Sequence, residues 1–250
     1  MTSLSFALAL VALLAFVALL YFFTSRVRAG QRPMLRKIAG YDLLKGFSGK
    51  AIESGRPFHL SLGLGSVSDA STADSLAGLH LLDHLAEQTA VTRVSPTVTM
   101  ANPMVMLLAQ NRLRTAYKQN PMGAQEAYRS VRWLAPQPAA YAAGVMSLFS
   151  VDRVAANVMV GTFGDEYLLM GEAALRHDIA HVGGASNPNT LPFIYASAQE
   201  TLLGEEIYAA GAYLQKHPSH IGSLLAQDTM RWLVAAVMLG GVLLATLGVG

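Results

Sequence analysis

The chain has no cysteine among its 250 residues. That excludes disulfides, thiolate metal sites and cysteine nucleophiles, and it fits a reducing compartment without requiring one. Charge is scarce: Asp, Glu, Lys and Arg make up 14% of the residues and the net charge is +2. Several of the positive residues gather between Arg26 and Lys37. No basic stripe with interleaved aromatics is left to contact nucleic acid. Low-complexity tracts, long polar linkers and convincing internal repeats are also missing, which excludes disordered-tail and solenoid architectures.

What the chain does have is apolar sequence at both ends. Leu4 to Phe23 contains no charged residue, Pro or Gly. A helix rises about 1.5 Å per residue, so such a run covers the roughly 30 Å hydrocarbon core of a bilayer. A second run, Trp232 to Val249, reaches the short end of spanning length. Its glycines (Gly240, Gly241, Gly248 and Gly250) would weaken a soluble helix but suit close helix contact in lipid.

The charges beside these runs set an orientation. Arg26, Arg28, Arg32, Arg36 and Lys37 follow the first run, and Lys216 and Arg231 precede the second. Positive residues stay on the cytoplasmic side, so both termini are expected outside and the intervening domain inside. Tyr21, Phe22, Phe23 and Trp232 would form an aromatic belt at the inner interface. A cleaved signal would instead place its basic residues before a shorter apolar core. The expected localisation is therefore the cytoplasmic membrane, crossed twice. The division is an anchor over 1–25, a basic juxtamembrane connector over 26–56, a soluble domain over 57–220, and a connector with a second transmembrane helix over 221–250. In the connector, Leu35, Ile38, Tyr41, Leu43 and Leu44 form an apolar stripe suited to the membrane surface or to the domain, with packing against the domain expected.

Within the soluble stretch, short apolar runs alternate with helical patterns. PFHLSLGLG, PTVTMA, ANVMVGTFG, DIAHVGG and LPFIYAS read as strands, while VMSLFSV is ambiguous. Helices are expected after Ser71 or Thr72, with Leu76, Leu79, Leu82 and Leu85 on one face, and after Asn102 as N-cap with Pro103 in the first turn. Further helices are expected over Gly123–Arg129, Asp165–Arg176 and AQETLLGEEIYAAGAYLQKH. The alternation predicts an α/β class: a Rossmann-like domain on a largely parallel sheet, flanked by two transmembrane helices.

In such sheets ligands bind beyond the carboxyl ends of the strands. Two glycine junctions fall there. Gly63, Gly65, Ser66, Ser68 and Asp69 form one; backbone N–H groups, hydroxyls and a helix N-terminus could cradle an anion, against a purely structural turn. The third glycine of a dinucleotide fingerprint and the GK[ST] ending of a P-loop are both missing. Gly161, Thr162 and Gly164 form the second, followed by Asp165 and Glu166, which suit the helix N-terminus as capping charge. Two His-xxx-His pairs, His80/His84 and His177/His181, have metal-ligand spacing but lack the glutamate of a zinc-protease helix, and read as ordinary surface or core histidines. Glu166, Glu172, Glu205 and Glu206 are candidate Mg²⁺ ligands or acid–base groups. The small residues Ala209 to Ala212 equally suit close helix packing with the glutamates in inter-subunit ion pairs. No cofactor is identified.

The blocks GTFGDEYLLMGEAA and LLGEEIYAAGAYL resemble an uncharacterised family of bacterial and archaeal membrane-anchored proteins, a domain of unknown function. The resemblance implies membrane attachment and an α/β domain and supplies no activity. The leading expectation is a non-catalytic structural or assembly protein whose partners are the lipid bilayer and either itself or a membrane-protein complex, not nucleic acid. A nucleotide- or anion-binding regulatory module is the alternative, and a metal-dependent hydrolase the second.

Overall fold

The computed structural model describes residues 3–31, 33–90, 94–118 and 128–246. It divides into two units, one made of residues 1–36 with 215–250, the other of residues 37–214.

The first unit is a pair of long helices, α1 (Ser3–Arg28) and α9 (Pro218–Thr246). They pack side by side. Gly222, in the first turns of α9, lies so close to Thr24, near the end of α1, that a Cβ there would collide with the Thr24 backbone. The two helices therefore run antiparallel. Among the described residues α1 is the one helix long and apolar enough to cross a membrane, over Ser5–Arg28, and it is of the kind that serves as a span or a signal sequence. Much of α9 beyond Trp232 also exposes large apolar side chains, including Val237, Met238, Leu239, Val242 and Leu243. The end of the expected second span, Gly248 to Gly250, lies outside the described residues, as does Arg32 of the basic cluster.

The second unit begins with α2 (Ala39–Ser54) and alternates from there: β1 (His59–Gly63), α3 (Thr72–Thr89), β2 (Thr97–Met100), α4 (Pro103–Ala116), β3 (Val131–Trp133), α5 (Pro138–Val151), β4 (Ala156–Thr162), α6 (Glu166–Arg176), β5 (Ala180–Ala185), α7 (Leu191–Ser197) and β6 (Glu200–Leu203). A 3-10 turn, Gly204–Ala209, and the short α8 (Ala210–Tyr213) close it. The six strands form one sheet in the order β3-β2-β1-β4-β5-β6, with every neighbouring pair parallel. This is the doubly wound order, in which the winding reverses between β1 and β4.

The local sequence accounts for most of these elements. β1 and β2 are buried at every position, as strands covered on both faces must be. Asn102 caps α4, its Oδ1 accepting the Met104 N–H at 2.8 Å, and Pro103 opens the helix where no N–H is needed. Leu79, Leu82 and Leu85 of α3 are buried, whereas Leu76 is exposed. The connector stripe packs as expected: Tyr41 and Leu44 are buried, and the Tyr41 ring stacks on Tyr213 with its hydroxyl donating to the Glu206 carbonyl at 2.6 Å.

Two expectations are corrected and one ambiguity is resolved. LPFIYAS is helix α7, not a strand, because Pro192 sits in the first turn and the Thr190 carbonyl accepts the Ile194 N–H. The last strand is instead β6, the first part of the expected helix AQETLLGEEIYAAGAYLQKH; Gly204, at φ +59, ends it in a left-handed turn. VMSLFSV belongs to α5. The edge strand β3 arises between the expected Gly123–Arg129 helix and the proline turn, and most of that helix, residues 123–127, lies outside the described residues.

Candidate functional site at the sheet switch point

Chain order puts the two glycine junctions on β1 and β4, and the strand order makes those strands neighbours. The junctions consequently meet at the switch point. The Leu64 N–H donates to the Thr162 carbonyl at 2.9 Å, joining one turn to the other. Gly63 has φ +74, and a Cβ there would press on the Phe163 ring at 3.0 Å. At Gly65 a Cβ would meet Ser75 Oγ at 2.5 Å and Thr162 Oγ1 at 3.1 Å. At Gly161 it would strike the Leu62 carbonyl. Close backbone approach demands the glycines at 63 and 161, and side-chain crowding the one at 65.

The hydroxyls of the first junction bond to one another. Ser71 Oγ accepts the Ser66 N–H at 2.8 Å, and Ser66 Oγ lies 3.0 Å from Ser68 Oγ. Asp69 Oδ1 accepts the Ser71 hydroxyl at 2.5 Å and its N–H at 2.8 Å, which holds the Asp69 carboxyl below its usual range. The loop is a self-satisfied turn.

The residue that joins the strand ends at this point is Asp74, which was not expected. It lies in the first turn of α3 and is buried. Its Oδ2 accepts the Ser186 hydroxyl at 2.7 Å and the Thr162 hydroxyl at 3.1 Å, and its Oδ1 accepts the Tyr208 hydroxyl at 2.5 Å. Burial, and next the bond to Asp74, raise the Tyr208 pKa. Asp74 thus places a carboxylate at the end of α3 where the helix favours negative charge. An acidic residue in a first helical turn reads from sequence as capping; its three partners lie 88, 112 and 134 residues away, beyond the reach of any local pattern.

A family model described as a domain of unknown function, DUF6754, matches residues 2–250. The chain belongs to this family. No curated protein and no solved structure matches it. The DUF6754 match spans both glycine junctions, Asp74 and both long helices, so the switch-point arrangement lies wholly within the family's own unit.

The candidate metal ligands of this DUF6754 chain are dispersed. Glu166 is buried, with Oε1 accepting the Gly164 N–H at 2.8 Å in the turn that leads into α6. Glu172 pairs with Arg176 at 2.6 Å on the exposed face of α6. Glu206 Oε2 accepts the Leu203 N–H at 3.0 Å where β6 enters the 3-10 turn, and Glu205 is exposed on that turn. Among the described residues no three His, Asp or Glu side chains converge as metal ligands do. In α3, Asp83 engages Arg112 at 2.8 Å and His84 bonds to Gln88 at 2.9 Å. His177 ends α6, while His181 is buried in β5.

His181 is one end of a second cluster that local sequence does not reveal. Thr97, His59, Asn157 and His181 stand in register across β2, β1, β4 and β5, and all four are buried. His59 Nδ1 lies 2.7 Å from Asn157 Oδ1 and its Nε2 lies 2.9 Å from Thr99 Oγ1; Tyr141 OH lies 3.0 Å from Thr99 Oγ1 and 2.6 Å from Ser61 Oγ. A neutral His59 that donates from Nδ1 to Asn157 Oδ1 accepts the Thr99 hydroxyl at Nε2, which leaves Thr99 to accept from Tyr141 and Tyr141 from Ser61. Burial lowers the His59 pKa to about 4 and raises that of Tyr141 to about 12. Burial likewise lowers His181 to about 3, and its Nε2 lies 2.9 Å from the Tyr167 hydroxyl. Both imidazoles are neutral at physiological pH.

Proposed function

We propose that this protein is a membrane-anchored, non-catalytic assembly protein. In this reading α1 and α9 form a two-pass anchor in the cytoplasmic membrane, and the α/β domain faces the cytoplasm, where it assembles with itself or with a membrane-protein complex. The observation that carries the reading is the filled switch point. Asp74 occupies the end of α3 that a phosphate ligand would use, and three hydroxyls hold it there. A crevice latched by its own side chains serves as a rigid scaffold rather than a reaction chamber.

Two further features support the anchor and the assembly. α1 and α9 expose large apolar side chains, among them Phe6, Leu10 and Leu14 on α1 and Val237 and Leu243 on α9, a surface suited to lipid. On α4, Met104, Leu107 and Leu108 share one helical face and are 57%, 55% and 36% exposed. Contiguous apolar surface of this kind marks contact sites. Basic residues at the domain side of both long helices support the inward orientation. Native mass spectrometry of the full chain released in mild detergent tests the proposal. An oligomer, or a stoichiometric membrane partner, is expected; a lone monomer with no co-purifying protein overturns it.

A second reading is favoured by the strand order: a regulatory module binding a small molecule between β1 and β4. Asp74 would repel a phosphate there, so the ligand class that fits offers hydroxyl or amine donors. Thermal-shift measurements with nucleosides and with nucleotides separate the two, because nucleosides alone are expected to stabilise. No response to either removes this reading.

A further inference from the structure

The amino ends of the strands carry a cavity that the switch-point site does not use. It has a volume of about 420 Å³ and lies where β1, β2 and β3 begin, lined in part by Pro57, Ser95, Thr97, Arg129, Arg132 and Asp152. Its size falls within the range of small-molecule sites, about 300–1,000 Å³. The charges on its wall are specific. Arg132 Nη1 donates to Asp152 Oδ2 at 2.7 Å, and the Asp152 side chain is 17% exposed against 41% for Arg132. The carboxylate thus sits deeper than the guanidinium and holds one edge of it, leaving other N–H donors of the fork outside this ion pair. With that pair neutral, Arg129 gives the lining described a net positive charge.

We propose that this cavity binds the phosphate group of a small molecule, held between Arg129 and Arg132. A guanidinium presents a planar fork of donors that matches a phosphate's oxygens two at a time, and two such forks suit its three or four oxygens better than a carboxylate's two. Asp152 acts as the positioning residue, fixing Arg132 before the ligand arrives. The cavity lies at the end of the sheet opposite Asp74, so the carboxylate that bars phosphate from the switch point does not oppose it here. The proposal is independent of the assembly reading.

Isothermal titration of the full chain in detergent with inorganic phosphate, at ionic strength held constant with chloride, tests it. Saturable binding is expected, weakened at least tenfold in Arg129→Ala and in Arg132→Lys. The lysine variant keeps the ion pair with Asp152 but loses the fork, and unchanged thermal unfolding of both variants without phosphate shows that they fold. Arg176→Ala removes a positive charge from α6 and is expected to bind phosphate like the unsubstituted protein. Lack of saturation, equal binding of acetate, undiminished binding by both variants, or an equal loss in Arg176→Ala overturns the proposal.

Discussion

The Tyr208 hydroxyl donates to the Asp74 carboxylate at 2.5 Å, linking the 3-10 turn after β6 to the first turn of α3. With Thr162 on β4 and Ser186 just past β5 donating to the same group, Asp74 ties together the carboxyl ends of the central strands. Replacing it with alanine strands hydroxyls that its carboxylate now satisfies. Hydrogen bonds to charged groups contribute roughly 1.5–3 kcal/mol each net, and orphaned buried groups cost a similar amount. Asp74→Ala is therefore expected to destabilise the domain by about 3 kcal/mol. Tyr208→Phe should cost about 1 kcal/mol, because Tyr208 is 45% exposed and water replaces part of the bond. Chemical denaturation of both single variants and the double variant measures the coupling; strictly additive losses would show that the pair does not act as a latch.

Glycine substitutions separate close approach from mere helix weakening. Gly65→Ala forces a methyl against Ser75 Oγ and Thr162 Oγ1, so a loss of about 1–3 kcal/mol is expected from overpacking. Gly46, inside α2, has nothing within 4 Å of its would-be Cβ. Gly46→Ala should stabilise by about 0.5–1 kcal/mol through helix propensity and reduced freedom of the unfolded chain. Opposite shifts of the unfolding midpoint are the expected result, and a destabilised Gly46→Ala would contradict the open space around that position.

The buried histidines predict an acid-side loss of stability. His59 is held at about 4 and His181 at about 3, each below the usual 6.5, by burial. Around His59, the Asn157 bond and Asp152 raise the pKa while Arg132 lowers it, and burial outweighs them all. Below pH 6.5 the unfolded chain takes up protons that the native imidazoles refuse. The stabilisation is thus complete above pH 6.5, declines as pH falls, and levels off only below the folded values. One pKa unit corresponds to about 1.4 kcal/mol, so each histidine should remove roughly 2 kcal/mol between pH 7 and pH 5. Asp69, whose carboxyl is held low, keeps its stabilising contribution across this window and loses it only as pH falls through the carboxylate range. A flat urea midpoint from pH 7 to pH 5 would mean that the histidines are hydrated in solution.

The α/β class and the parallel sheet were legible because strand and helix patterns alternate along the chain, and because Asn102–Pro103 and the glycines after Leu62 and Val160 punctuate it. The end of the sheet was not legible. LPFIYAS and ETLL are both short, and periodicity over so few residues does not distinguish a helix begun at a proline from an edge strand. The glycine junctions were visible singly, but their meeting depends on the sheet order, which only long-range packing sets. Asp74 escaped notice for the same reason: its partners come from β4, the end of β5 and the turn after β6. The polar row Thr97, His59, Asn157 and His181 emerges only when the strands are laid in register.

Because the chain lacks cysteine, single introduced thiols can settle the orientation of the anchor without background. In the two-pass reading Thr246, at the end of α9, is external, while Lys50, exposed on α2, is cytoplasmic. Thr246→Cys is expected to react with a membrane-impermeant maleimide in intact cells, and Lys50→Cys only after permeabilisation. Reversal of that pattern would show that the basic residues flanking α1 and α9 do not hold the domain inside. Labelling of both positions in intact cells would have a different meaning. It would identify α1 as an export signal or outward-facing anchor and α9 as a helix that does not cross, leaving the exposed apolar side chains of α9 to be covered by a protein partner.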